Sequence, residues 1–280
     1  MQTLEKPVLF IGGGNMAHAI LKGAVDAGVL RSGLVGVLDP SAERRSLFEN
    51  SFDDPRASLD WLQSFGAQDG VVVVAVKPQM LGAVGEAFAP IMDGLGWKPL
   101  VVSILAGIPR RAVLGTFFGD DRAGRAVRVM PNTPAQVGMG MTAIASSGDL
   151  LEADLVTVES IFRAVGETVR LDESLMDAFT AVAGSGPAYV FYLVEAMSRA
   201  AEKLGFGPED ARKIVEQTVT GSSALLAASE HDASSLRQMV TSKNGTTYAA
   251  TTTLDQRGVM DAFGAALTAA RDRGMELGAG

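Results

Sequence analysis

The sequence predicts an α/β chain in which a doubly wound sheet over residues 1–171 precedes an all-helical domain over residues 172–280. Three observations carry that expectation. A glycine-rich turn follows the first apolar run. Short runs that are apolar throughout then alternate with helix-length stretches as far as Leu171. Beyond Leu171 such runs all but cease, and Ala, Leu, Met and Glu recur at helical spacing. Runs that are apolar throughout suit a parallel sheet covered on both faces, where neither side of a strand meets water.

The first strand is placed at Val8–Ile11; the acid and base ahead of it and the lack of a small-residue cleavage site argue against a signal peptide. Gly12, Gly14 and Ala17 then form G-x-G-x-x-A between a strand and a helix. The first glycine permits the tight turn, the second lets backbone approach a pyrophosphate, and the small third residue lets helix and sheet pack closely. Asn15 and Met16 lie in the first helical turn, whose free N–H groups and dipole favour phosphate. This is a Rossmann-like beginning and predicts dinucleotide binding.

The second strand, Val35–Leu38, ends on signals that conflict. Asp39 would accept from a ribose 2′-hydroxyl, which suits NAD, whereas Ser41 with Arg44 or Arg45 would hold a 2′-phosphate, which suits NADP. A third strand over Val71–Val76 runs into Lys77 and Pro78 at the carboxyl edge of the sheet. There Val76, Lys77 and Pro78 are candidate ligand contacts, with a solvated lysine as the plain alternative. Further strands are placed at Leu100–Leu105, Ala126–Met130, Met141–Ala145 and Thr168–Leu171. Two prolines stiffen the loop after the fifth, where Asn132 could meet a nicotinamide amide or close an Asx-turn.

In the second half, Pro187 and Pro208 stand at plausible helix starts. The stretch Ala188–Gly205 is apolar on more than one face, and a domain of this size cannot bury it alone, which predicts at least a dimer. Net charge is −8 with no basic cluster, which argues against a nucleic-acid partner. There is no cysteine, so thiolate metal sites and disulfides are excluded and the cytoplasm is the expected compartment. No apolar run is long enough to span a membrane. His18 and His231 are the only histidines and lack partners at metal-ligand spacing, so no metal is expected.

Taken in order, "FIGGGNMA", "AVKP", "SILAGI", "MPNTPA", "GSGPAY" and "TSKNGTT" resemble the pyrroline-5-carboxylate reductases over essentially the whole length. The resemblance implies reduction of 1-pyrroline-5-carboxylate to L-proline by NADPH, with NADH as the alternative. It implies an all-α dimerisation domain, an interlocked homodimer and often a pentamer of dimers. It adds Ala106 and Gly107 to the cofactor contacts. It also makes Ser242, Gly245, Thr246 and Thr247 the substrate loop, with the Thr247 hydroxyl at the imine nitrogen.

Read without the resemblance, Ser242 or Thr246 is an ordinary helix N-cap. Where the family commonly has Pro-Gly, this chain has Lys243-Asn244; Asn tolerates the left-handed conformation best among ordinary residues, so the backbone path is expected to survive. A β-hydroxyacid dehydrogenase would need K-x-x-N, which no lysine here satisfies. An imine reductase of another substrate and a non-catalytic NADP(H)-sensing protein are the remaining alternatives.

Overall fold

The computed structural model describes residues 3–66, 70–94, 96–119, 124–146 and 150–279, so only the final residue of the expected helical domain lies outside it. The chain forms two compact units, Met1–Ser185 with Ala270–Gly280, and Gly186–Ala269.

The first unit is built on eight strands: β1 Val8–Ile11, β2 Val35–Leu38, β3 Asn50–Phe52, β4 Val71–Val74, β5 Leu100–Ser103, β6 Arg125–Met130, β7 Gly140–Ala145 and β8 Gly166–Leu171. They lie in the order β3-β2-β1-β4-β5-β6-β7-β8. Helices α1 Asn15–Asp26, α2 Ala42–Arg45, α3 Pro55–Ser64, α4 Leu81–Asp93, α5 Arg110–Phe118 and α6 Glu152–Arg163 connect them, and α7 Met176–Phe179 follows β8. The apolar runs sort themselves by alternation. Val71 and Val73 enter a core layer with Phe10, Ile20 and Phe162, while Val72 and Val74 enter the opposite layer with Leu9, Phe88 and Phe117. Full burial of each such side chain contributes about 1.5–3 kcal/mol, so both layers hold the sheet.

Three features depart from the sequence reading. β3 was not foreseen, because Asn50-Ser51-Phe52 is a half-buried edge strand that pairs only with β2 and carries no apolar run. The runs ending at Val76 and Leu105 leave the sheet earlier, at Val74 and Ser103, and their last residues form the loops of the carboxyl edge. The sheet is also not parallel throughout: β7 pairs antiparallel with β6. The Pro131–Met139 connection contains only a short 3₁₀ segment, Thr133–Val137, and is too short for the crossover a parallel pair needs. β8 again runs parallel to β7 after α6.

The change in sequence character falls at Leu171, but the packing of the first unit continues. Met176, fully buried, joins Ala143 and Ala145 beneath the end of the sheet, which carries the first unit on to Ser185.

The second unit contains α8 Gly186–Lys203, α9 Pro208–Ala228, α10 Ala233–Met239, α11 Thr246–Gln256 and the first half of α12 Val259–Ala279. Pro208 opens α9 and Pro187 is the second residue of α8, as their fixed φ allows. Among its described residues only Ala211 and Val215 are buried. Phe191 and Tyr192 stand 68% and 74% exposed, and Tyr189, Tyr192, Val259 and Phe263 line an apolar groove of about 380 Å³. Such a face is much larger in apolar character than a monomer's surface ordinarily shows.

Candidate functional site

The glycine turn is a consequence of close backbone approach. Gly12 has φ +103°, and a Cβ on it would stand 2.8 Å from the Ala75 carbonyl oxygen at the end of β4. Its N–H donates to the Leu38 carbonyl at 2.8 Å, tying the ends of β1 and β2. Gly14 is the N-cap of α1 and has no side chain to cap it; a Cβ there would meet nothing within 4 Å. Open space in front of uncapped N–H groups is the cradle a pyrophosphate requires. Ala17 is buried against the sheet, as the third position of the motif demands, and Met16 packs on the same core.

Next to this turn, a cavity of about 560 Å³ is lined by Gly12, Gly14, Asp39, Val76, Lys77 and by the α4 side that carries Met80 and Val84. It opens at the carboxyl ends of β1, β2 and β4, where open α/β sheets bind their ligands. The residues present fit a dinucleotide. The α4 wall has no counterpart among the expected contacts; its signal is the apolar stretch that begins at Met80, two residues after Pro78.

Asp39 is heavily engaged. Its Oδ2 accepts from Gly13 N–H and its Oδ1 from Ser41 N–H, each at 2.8 Å, so the carboxylate braces the glycine turn. The Ser41 hydroxyl caps α2 by accepting from Arg44 N–H. Arg44 reaches from α2 to donate to Asn15 Oδ1 at 2.8 Å, which puts a guanidinium beside the phosphate cradle. Arg45 turns away, donating to the Asp39 and Pro40 carbonyls and pairing with Asp53 at 3.1 Å.

Of the expected cofactor contacts, Asn15, Met16, Ala17, Ser41, Arg44, Pro78, Ala106, Gly107 and Asn132 do not line this cavity. Leu105–Ile108 is a tight turn after β5, with Gly107 at φ +75°. Asn132 is 8% exposed and closes no Asx-turn. Its Oδ1 accepts from Met141 N–H at 2.9 Å and its Nδ2 donates to the Ala183 carbonyl at 3.0 Å. Ala183 lies in a π-helical turn, Thr180–Gly184. An α-helical continuation would pair its carbonyl with residue 187, and Pro187 has no N–H to give. Asn132 is therefore a strut between the β6–β7 loop and this turn. Below it, Arg128, 5% exposed, pairs with Asp177 at 2.7 Å, and Glu173 accepts from the first N–H of α5, that of Arg110.

The second unit presents Ser242–Thr247. Asn244 is the only non-glycine residue with positive φ among those described, at 60°, so the left-handed step expected of it is present. Gly245 follows in extended conformation as the N-cap of α11. A Cβ on Gly245 would stand 2.3 Å from Ser242 Oγ, so any larger residue there would displace the serine hydroxyl. Neither Ser242 nor Thr246 is the N-cap. Thr246 is the first helical residue, and the intrahelical ladder begins with Ala249 N–H to the Gly245 carbonyl. The N–H groups of Thr246, Thr247 and Tyr248 thus face outward, with no acid in the first turn. Thr247 is half-buried, while Ser242, Lys243 and Thr246 are exposed.

The histidines stay outside both places. His18 packs edge-on against Phe48, and His231 lies in the turn before α10. Among the described residues no three His, Cys, Asp or Glu side chains group as metal ligands. Among the described residues no helix is long and apolar enough to cross a membrane.

A pyrroline-5-carboxylate reductase of Pseudomonas aeruginosa is 39% identical over 274 residues, covering 96% of both chains. The chain belongs to the pyrroline-5-carboxylate reductase family. The family's dimerisation domain matches residues 173–277, and residues 7–107 match the family of coenzyme F420-dependent NADP oxidoreductases. The family structure from Coxiella burnetii superimposes with a TM-score of 0.86 at 33% identity, covering 98% of this chain and 99% of that one. That of Plasmodium falciparum, solved with NADP bound, gives 0.84 at 25% identity, covering 99% and 100%. Membership accounts for the exposed apolar faces of the second unit, since residues 173–277 are a dimerisation domain.

Proposed function

We propose that this member of the family reduces 1-pyrroline-5-carboxylate to L-proline, the last step of proline biosynthesis, with NADPH as reductant and a homodimer as the working unit. The observation that carries the substrate assignment is the start of α11. An uncapped helix, a left-handed Asn244 and a half-buried Thr247 offer N–H groups for a carboxylate and one hydroxyl for a nitrogen.

When bound, NADPH supplies the hydride that adds to the imine carbon. The chain's own residues have few further duties. The N–H groups of Thr246 and Thr247, with Ser242 Oγ, anchor the substrate carboxylate. Thr247 Oγ1 hydrogen-bonds the ring nitrogen, which becomes the secondary amine, and relays a proton from water when the imine arrives neutral. No carboxylic acid or histidine is needed, because a protonated imine is already electrophilic. On the cofactor side, Arg44 supports the 2′-phosphate of NADPH. The Asp39 carboxylate is spent on Gly13 and Ser41, whereas the Arg44 guanidinium stands at the mouth of the cradle. Asn15, Met16, Val76, Lys77 and Pro78 frame the dinucleotide, and Ala106 and Gly107 its nicotinamide side.

Oxidation of NADPH and NADH, followed with pyrroline-5-carboxylate and with other cyclic imines, tests the assignment. Turnover confined to other imines, or binding of NADPH without turnover of any imine, would overturn it. Thr247→Ala is expected to lower kcat by about a hundredfold or more, the lower end of what a positioned proton relay supplies, with NADPH affinity unchanged. An unchanged kcat removes Thr247 from this role. Light scattering is expected to give twice the 29.2 kDa protomer mass, or ten times it if dimers assemble into pentamers.

A further inference from the structure

The end of α12 returns to the first unit and lies against the turn after β5. Gly274 and Gly278 are four residues apart and share one helix face. A Cβ on Gly278 would stand 2.6 Å from the Gly107 carbonyl oxygen, closer than any side chain tolerates. A Cβ on Gly107, in its turn, would meet Leu277 Cβ at 3.2 Å. Gly274 faces Asp177, the carboxylate that pairs with buried Arg128 of β6. Helix and turn therefore touch backbone to backbone, through glycines on both sides, and Gly107 is buried beneath the contact.

We infer that the last turns of α12, Gly274 to Gly278, are a positioning element for the cofactor: they set the height of the Ala106–Gly107 turn and so the nicotinamide side of the site. The inference rests on the cofactor placement proposed above. Leu105 and Ile108 anchor the flanks of this turn in the core, but Gly107, at φ +75°, has no side chain of its own to hold it, and β5 ends at Ser103, before the turn begins. The helix end is the rigid body that determines where its carbonyl lies. Small displacements of a reacting group are costly: about 1 Å can lower a rate by roughly a hundredfold.

The experiment uses the full-length dimer carrying Gly278→Ala, with Leu277→Gly as a second variant that removes the Cβ facing Gly107 and so loosens the contact without adding bulk. Three quantities are read: kcat with pyrroline-5-carboxylate, fluorescence of the bound reduced nicotinamide, and affinity for 2′-phospho-ADP-ribose, which lacks the nicotinamide. The expected result is a kcat lowered by at least about tenfold and an altered nicotinamide emission, with the fragment affinity and dimer mass unchanged. Unchanged emission and kcat in a folded variant overturn the inference. So does a parallel loss of fragment affinity and dimer mass, which would make the contact merely structural. Failure of the unaltered enzyme to turn over pyrroline-5-carboxylate would sink the substrate assignment instead, while the emission still decides the role of the helix end.

Discussion

Asn132→Ala separates a strut from a cofactor contact. The native amide satisfies two groups at once, Met141 N–H at 2.9 Å and the Ala183 carbonyl at 3.0 Å, at a position 8% exposed. Removing it leaves a donor and an acceptor without these partners, and each such loss costs about 1–3 kcal/mol when water cannot enter freely. The two together predict a destabilisation of about 2–6 kcal/mol. For a unit of this size each kcal/mol lowers the midpoint by about 2–4 °C, so thermal unfolding should begin roughly 4–24 °C earlier. Circular dichroism melting at a fixed protomer concentration is the assay, because dimerisation makes the midpoint concentration-dependent. NADPH affinity is measured beside it. A midpoint unchanged within error, together with a marked loss of NADPH affinity, would refute the strut and return Asn132 to the nicotinamide.

The remaining predictions concern the two ends of the site. Arg44→Ala should raise KM for NADPH by about tenfold, the equivalent of one charge-assisted hydrogen bond, and leave NADH little changed; equal effects on both cofactors would remove Arg44 from the 2′-phosphate. Asn244→Gly should preserve KM for pyrroline-5-carboxylate, because glycine accepts φ 60° freely. Asn244→Val should raise that KM, since the left-handed conformation costs an ordinary residue about 1–2 kcal/mol; equal KM values for the two variants would show that the loop path is unimportant.

Much of this enzyme is legible in its sequence because local rules and tertiary demands agree. The apolar runs Val8–Ile11 and Val71–Val76 read as strands buried on both faces, the second two residues longer than the strand that forms, and a glycine turn between strand and helix could only cradle an anion or lie idle. Asn244 could be read as left-handed, since few residues take that conformation. Edge strand β3 was invisible because a strand with one paired side needs no apolar run.

The direction of β7 depended on the length of the loop before it, and the reach of the first unit to Ser185 depended on where Met176 found a core. Neither is a property of residue order at one place. Asn132 illustrates the limit best. An asparagine between two prolines suits a turn, a ligand or a strut equally well, and only the carbonyl brought to it from Ala183 decides. Composition and periodicity thus determined the class of fold, because both follow from local physics repeated along the chain, while the order of the motifs carried the resemblance to the family. The tertiary structure decided which polar side chains are already spent on the protein itself and which glycines, such as Gly107 and Gly278, exist to let two distant segments touch. Those are long-range contacts, and a linear sequence does not carry their distances.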